Sequence, residues 1–247
     1  PLPAAADVKG PPPVFVSPGN DKFALVVGNS DYSELGFLRN PTNDARDVSE
    51  SLKRTGYAVD LLVDADLSVM EDRLIAFARR LQTNPDAVGV FYFAGHGVQS
   101  SGVNYLIPAR ADIRSESFLK TKALPVDSVL GELKSSGNKY NLIILDACRD
   151  NPFAWSRGGS RGLQVVGNQP PGTTIAFATS AGSTAQDGTG RNGVYTEELL
   201  KYIGRRDIDV SEILRLTSKA VVEKTGGAQV PAVYNQYFEK VRMDNSR

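Results

Sequence analysis

Two side chains occur once each in this sequence, and both can take part in nucleophilic chemistry: Cys148 and His96. A thiol attacks as its thiolate, and a nearby imidazole supplies that state by accepting or balancing the proton. By default a lone His is a surface or satisfied core residue, and a lone Cys after an apolar strand is a small buried hydrophobe. The neighbours argue for more. His96 stands between Gly95 and Gly97, directly after Phe91-Tyr92-Phe93-Ala94, and glycines on both sides allow close backbone approach and unusual torsions. Cys148 comes two residues after Asp146 and just before Arg149-Asp150-Asn151-Pro152, a polar setting that suits the mouth of a sheet better than its middle. The two lie 52 residues apart, so a meeting requires neighbouring strands that end at one rim.

The pattern along the chain supplies such strands. Phe23 to Val27 reads as a short buried strand ending at Gly28, and Pro41 to Asp44 as a helix start with Ala45, Val48 and Leu52 inward. Tyr57 to Val63 is the next strand. Leu67, Met70, Leu74, Phe77 and Leu81 then mark an amphipathic helix. Val88 to Phe93 is a third strand leading into His96, followed by a hairpin from Val98 to Ile107. A helix with Val126, Val129, Leu130 and Leu133 inward precedes the strand Asn141 to Leu145, which delivers Cys148. Thr174 to Ala178, two helices near Thr196 to Ile203 and Val210 to Val222, and an extended piece around Val230 to Tyr234 complete the chain. Strands alternating with helices predict an α/β fold: a mostly parallel central sheet of about six strands with helices on both faces. Function in such sheets collects beyond the carboxyl ends of the strands, where Gly28, His96, Cys148 and Ser180 fall.

Composition excludes several classes. With 28 basic and 28 acidic residues there is no net charge and no dense basic block, so phosphate-backbone binding has no electrostatic basis. No apolar run approaches the roughly 18 residues of a membrane span. One cysteine rules out an internal disulfide and a multi-cysteine zinc site. Residues 1–21 form a Pro-rich flexible leader, with six of the fourteen prolines in the first twenty positions, and 22–247 form the folded domain. The leader lacks the pattern of an intact signal peptide, so localisation stays open between the cytoplasm and, after removal of a signal, the periplasm or exterior.

The motifs Tyr92-Phe93-Ala94-Gly95-His96-Gly97 and Leu145-Asp146-Ala147-Cys148-Arg149 resemble those of caspase-like cysteine peptidases, in the paracaspase and metacaspase branch with its prokaryotic members. Caspases place Gln-Ala-Cys about 50 residues after their His; here Asp146 replaces the Gln. Val27-Gly28-Asn29 with Tyr32, Asn43-Asp44-Ala45 and Ala178-Thr179-Ser180 extend the likeness over roughly Phe23 to Val233. The resemblance implies a caspase-like three-layer sandwich and a peptidase in which His96 is general base and then acid, and Cys148 forms a thioacyl-enzyme. It implies an oxyanion hole from the backbone N–H groups of Gly97 and Cys148. It further implies a first specificity pocket that is acidic at Asp44 and Asp146, lined near Ser180, and suited to a substrate with Arg or Lys before the scissile bond.

Plainer readings exist for the acids: Asp44 as a helix cap, and Asp146 as an acceptor of loop N–H groups. Asp187, in a glycine-bearing loop, is a candidate third acid of the pocket, whereas Thr184 stands where paracaspases tend to carry an acidic residue. Asp60, Asp64 and Asp66 read as a solvated strand end and not as a calcium cluster, so no cofactor is expected and calcium activation has no support. The long stretch Asn151 to Gly172 carries Arg157 and Arg161, self-cleavage sites under the same specificity; a mobile surface loop is the plainer reading. The partner expected is a peptide or protein substrate, with the chain a monomer or homodimer. Two other readings are weighed against the peptidase: a catalytically silent partner-binding scaffold, and a nucleotide-binding domain with phosphates at Val27-Gly28-Asn29-Ser30. The last lacks both G-x-G-x-x-G and a Walker lysine.

Overall fold

The computed structural model describes residues 21–32, 35–148, 153, 169–180 and 190–243, with Cys148 described as backbone. Strand β1 (Lys22–Gly28) leads to helix α1 (Pro41–Arg54), and β2 (Ala58–Val63) to α2 (Leu67–Gln82). A long β3 (Val88–Ser100) turns back into β4 (Val103–Leu106). A short helical turn, α3 (Leu119–Lys122), and the two-residue β5 (Leu124–Pro125) precede α4 (Val126–Ser136) and β6 (Tyr140–Cys148). Then come β7 (Thr173–Phe177), α5 (Val194–Leu200), α6 (Val210–Lys224) and β8 (Ala232–Asn235).

The main sheet has the order β2-β1-β3-β6-β7-β8. Its first five strands are parallel, and β8 joins antiparallel. The expected parallel sheet of about six strands is therefore this path. The strands read as apolar runs because both faces are covered, and their period-two pleat sorts the side chains. Phe23, Leu25, Val27, Phe91 and Phe93 pack with α2 and α4 on one face. Ala24, Val26, Val90, Tyr92, Leu142 and Ile144 pack with α1, α5 and α6 on the other. These two layers flanking the sheet make the three-layer sandwich.

One boundary differs in a way that matters. The sequence pattern ends the third strand at Phe93, yet β3 continues through Gly95-His96-Gly97 to Ser100. Gly is a poor strand former, but β6 pairs with β3 as far as His96↔Cys148, and β4 pairs from Gly97↔Leu106 onward. Ladder hydrogen bonds override local propensity here. The hairpin carries its own small core of Tyr32, Val98, Tyr105, Ile107, Ile113 and Phe153.

Of the three aspartates read as a solvated strand end, Asp66 is exposed and Asp60 and Asp64 are half-buried, and each has a polar partner. Asp60 pairs with Arg73 at 3.3 Å in a largely buried setting. Asp64 accepts the backbone N–H groups of Ser30 and Asp31 at 2.7 and 3.0 Å, and Asp66 caps α2 through the N–H of Val69. Orphan amides at the end of β1 and the start of α2 need acceptors, and short carboxylates supply them.

Helix α1 sits directly on the end of β1. A Cβ at Gly28 would lie 2.3 Å from the Pro41 carbonyl oxygen and 2.5 Å from the Ala45 Cβ. Gly28→Ala is therefore expected to lower stability by about 1–3 kcal/mol, measured by urea unfolding. An unchanged midpoint would mean that α1 moves off the sheet at no cost.

Candidate active site

The parallel pairing of β3 and β6 runs Ala94↔Asp146, Gly95↔Ala147, His96↔Cys148. Neighbouring strands are about 4.8 Å apart, so the single imidazole and the single thiol belong to backbone positions directly opposite each other. Both lie past the point where β1 has ended, since its last pairing to β3 is Gly28↔Ala94. These two backbone positions thus lie at the carboxyl rim of the sheet.

His96 is held there from behind. Its backbone N–H donates to the Tyr32 hydroxyl at 2.9 Å, and its carbonyl accepts the N–H of Ile107 at 3.0 Å. The Tyr32 hydroxyl in turn donates to the Ile107 carbonyl at 3.4 Å. The Tyr32 and His96 rings pack with centroids 4.6 Å apart. Gly95 makes this possible: it sits at φ +151°, and a Cβ there would come within 2.3 Å of the Tyr32 hydroxyl. The imidazole is only 7% exposed, and neither ring nitrogen has a hydrogen-bond partner among the described residues. Burial alone drives its pKa down to about 4. The ring is therefore neutral at pH 7, the form in which it can accept a proton.

The loops beneath this pair are tied by Asn29. Its N–H donates to the Ala94 carbonyl at 3.0 Å, and its side-chain oxygen accepts from Ala65 at 3.0 Å. Its amide nitrogen donates toward the carbonyls of Ile107 at 3.3 Å and Ala65 at 3.4 Å. One buried amide thus joins the ends of β1, β2 and β4.

The two expected acids come together on the α1 side of the rim. Asp146 shares the pleat parity of Leu142 and Ile144, which face α1 and α5. Asp44, in the first turn of α1, is 3% exposed and accepts the backbone N–H of Gly193 at 3.0 Å. It does not cap its own helix, whose N-cap position is Asn40. A Cβ at Gly193 would lie 3.3 Å from Asp44 Oδ2 and 3.7 Å from Asp146 Oδ2, so both carboxylates border one spot. Burial first, and the Asp146 carboxylate second, push the Asp44 pKa up to about 8, while Asn192 and the Gly193 N–H pull it back. Asp146 Oδ2 accepts the Thr196 hydroxyl at 2.6 Å, and Thr196 lies 2.5 Å from the Tyr92 hydroxyl. Residues 191–193 are fastened to α1: Arg191 grips Asp47 with two bonds of 2.8 and 2.9 Å, and Asn192 adds a third.

Gly97 begins the hairpin pairing, opposite Leu106. Ser180 follows β7, but its hydroxyl donates to the Val230 carbonyl at 2.7 Å and so braces the C-terminal segment. Asp187, Arg157 and Arg161 lie outside the described residues, as does the leader up to residue 20. Among the described residues no group of three or more His, Cys, Asp or Glu could hold a metal, and no helix is long and apolar enough to cross a membrane. Sequence reasoning missed Gly193, Tyr92 and Thr196 as parts of the site. The available signal was Tyr92 itself, since a hydroxyl inside a buried strand must find a partner.

Comparison with known proteins agrees with this architecture. The family model described as the caspase domain matches residues 21–242. The human mucosa-associated lymphoid tissue lymphoma translocation protein 1 is 29% identical over 129 residues, covering 52% of this chain and 15% of that protein; its mouse homolog matches to the same extent. The matched stretch is thus a small part of those much longer relatives. Among solved structures, the Drosophila initiator caspase Dronc superposes with a TM-score of 0.65 at 15% identity, covering 91% of this chain and 83% of that one, a likeness of fold. The chain belongs to the caspase domain family and hence, at the level of the family, to the cysteine peptidases.

Proposed function

We propose that the chain is a cysteine endopeptidase that cuts protein or peptide substrates after Arg or Lys, using Cys148 and His96. The observation that carries this reading is the His96↔Cys148 pairing at the same rim as the buried Asp44 and the half-buried Asp146.

His96 takes the thiol proton of Cys148, and the sulfur attacks the carbonyl carbon of the scissile peptide. The carbonyl electrons pass to oxygen, and the resulting oxyanion is met by the N–H groups of Gly97 and Cys148, each worth about 3–4 kcal/mol to the transition state. Collapse breaks the C–N bond; His96 gives its proton to the departing amine and leaves the thioacyl-enzyme. Water then adds with His96 as base, and the acid product leaves as the thiol is restored. The neutral state that burial imposes on His96 fits the first step.

Asp44 and Asp146 border a spot that favours a cationic side chain. An Asp substrate would meet like charge there, a penalty on the order of several kcal/mol. Under this specificity Arg157 and Arg161, both outside the described residues, are sites for self-processing.

A fluorogenic peptide ending in Arg or Lys is expected to be hydrolysed at least about a hundredfold faster than its Asp counterpart. Iodoacetamide or Cys148→Ala should abolish that turnover. Turnover that survives both, or preference for Asp, refutes the reading.

Mass spectrometry tests the loop. Fragments ending at Arg157 or Arg161 are expected in the wild type and absent in Cys148→Ala; identical intact masses would exclude self-processing.

The pH dependence has a defined sign. Between its ordinary value near 3.8 and about 8, Asp44 holds a proton in the folded state that it lacks when unfolded. Its contribution to stability therefore falls as pH rises through that window and is flat above it. Asp44→Asn is expected to be more stable than the parent at pH 8–9, by thermal unfolding, yet poorer on Arg peptides. In the parent, KM for Arg peptides should fall as pH approaches 8, because deprotonated Asp44 attracts the cation more strongly; that trend should vanish in Asp44→Asn.

A further inference from the structure

Asp146 is tied into the core by a directed chain of two hydroxyls. Thr196 donates to Asp146 Oδ2 at 2.6 Å, and the Tyr92 hydroxyl lies 2.5 Å from the same Thr196 oxygen. A threonine hydroxyl has one proton. With that proton committed to Asp146, Tyr92 must be the donor to Thr196. Burial, with Asp146 and Asp44 nearby, pushes the Tyr92 phenol well above its ordinary range, so its O–H stays available to donate. Both Tyr92 and Thr196 are 0% exposed, so bulk water does not compete, and each O–H polarises the next.

We propose that Thr196 and Tyr92 are positioning residues that fix the plane of the Asp146 carboxylate for the guanidinium of an arginine before the scissile bond. This rests on the reading of the acidic pair as the first specificity pocket. The chain grips Oδ2 of this carboxylate and so restrains its rotation about the Cβ–Cγ bond. A guanidinium is planar and presents its N–H groups as a rigid fork, so its bonds depend on the orientation of the carboxylate plane. An ammonium is a compact charge with rotatable donors and is far less sensitive to that rotation. Loosening the chain therefore costs Arg recognition more than Lys recognition. A purely structural role for the two hydroxyls would cost both alike.

The test uses two fluorogenic peptides that differ only in Arg or Lys before the cut, with the full chain and its Thr196→Val, Thr196→Ser and Tyr92→Phe variants. In Thr196→Val the Arg-to-Lys ratio of kcat/KM is expected to fall about tenfold, mainly through KM for the Arg peptide. Tyr92→Phe should shift the ratio in the same direction by less, and Thr196→Ser, which keeps the hydroxyl, should restore it. Equal losses on both peptides, or a ratio that none of the variants moves, overturn the positioning role. A parent chain that hydrolyses neither basic peptide instead overturns the pocket reading on which the proposal stands. If Thr196→Val does not fold, Tyr92→Phe removes a single oxygen and decides by the same ratio.

Discussion

The pairing of β3 with β6 carries further than any other strand contact in the sheet, nine residue pairs from Val88↔Tyr140 to His96↔Cys148. Its interior half is ordinary core, with Phe91, Phe93 and Leu145 on one face and Tyr92 and Ile144 on the other. Its outer end extends past β1, and there the same ladder that organises the core sets two reactive residue types opposite each other. A one-residue slip would exchange the two faces of every side chain on β6, burying Asp146 under α2 and α4. Core packing thus protects the register on which the proposed chemistry depends.

The second constraint is the cost of buried charge. His96 is neutral because its ring is enclosed, and Asp44 keeps its proton because it is enclosed beside another carboxylate. Both shifts oppose the charged forms and leave groups ready to change state when a partner of opposite charge arrives. Asp44 in particular lies against the grain of folding: a neutral residue would fit more comfortably beneath Gly193 at alkaline pH. Its neighbours limit the penalty through the Gly193 N–H and the Asn192 side chain, while Asp47 and Arg191 hold that strap in place.

Around this centre the rim is held by polar side chains of fixed geometry. Asn29 joins three loops through one amide, and Tyr32 reaches across Gly95 to hold the His96 backbone. Such groups are buried and hydrogen-bonded, so small displacements of any one loop break bonds that water cannot replace. The described segments around Asn29 and Tyr32 are accordingly fastened to the sheet end by buried hydrogen bonds.

Much of this was legible in the residues themselves. Apolar runs of strand length alternating with 3.6-period helices led to a mostly parallel, doubly covered sheet, because burial on both faces leaves that imprint. Gly95-His96-Gly97 and Asp146-Ala147-Cys148 stood out because their polarity contradicts the strands they end. The continuation of β3 through two glycines was not legible, since only pairing with β6 and β4 offsets their low strand propensity. Asp64 looked solvated because the Ser30 and Asp31 amides it satisfies come from another segment. Nor could local pattern join Asp44 on a helix to Gly193 and Asp146, or order Tyr92, Thr196 and Asp146 into a directed chain. Periodicity records which face of an element is buried; which polar groups meet there depends on contacts between segments distant in sequence, and only the tertiary structure decides them.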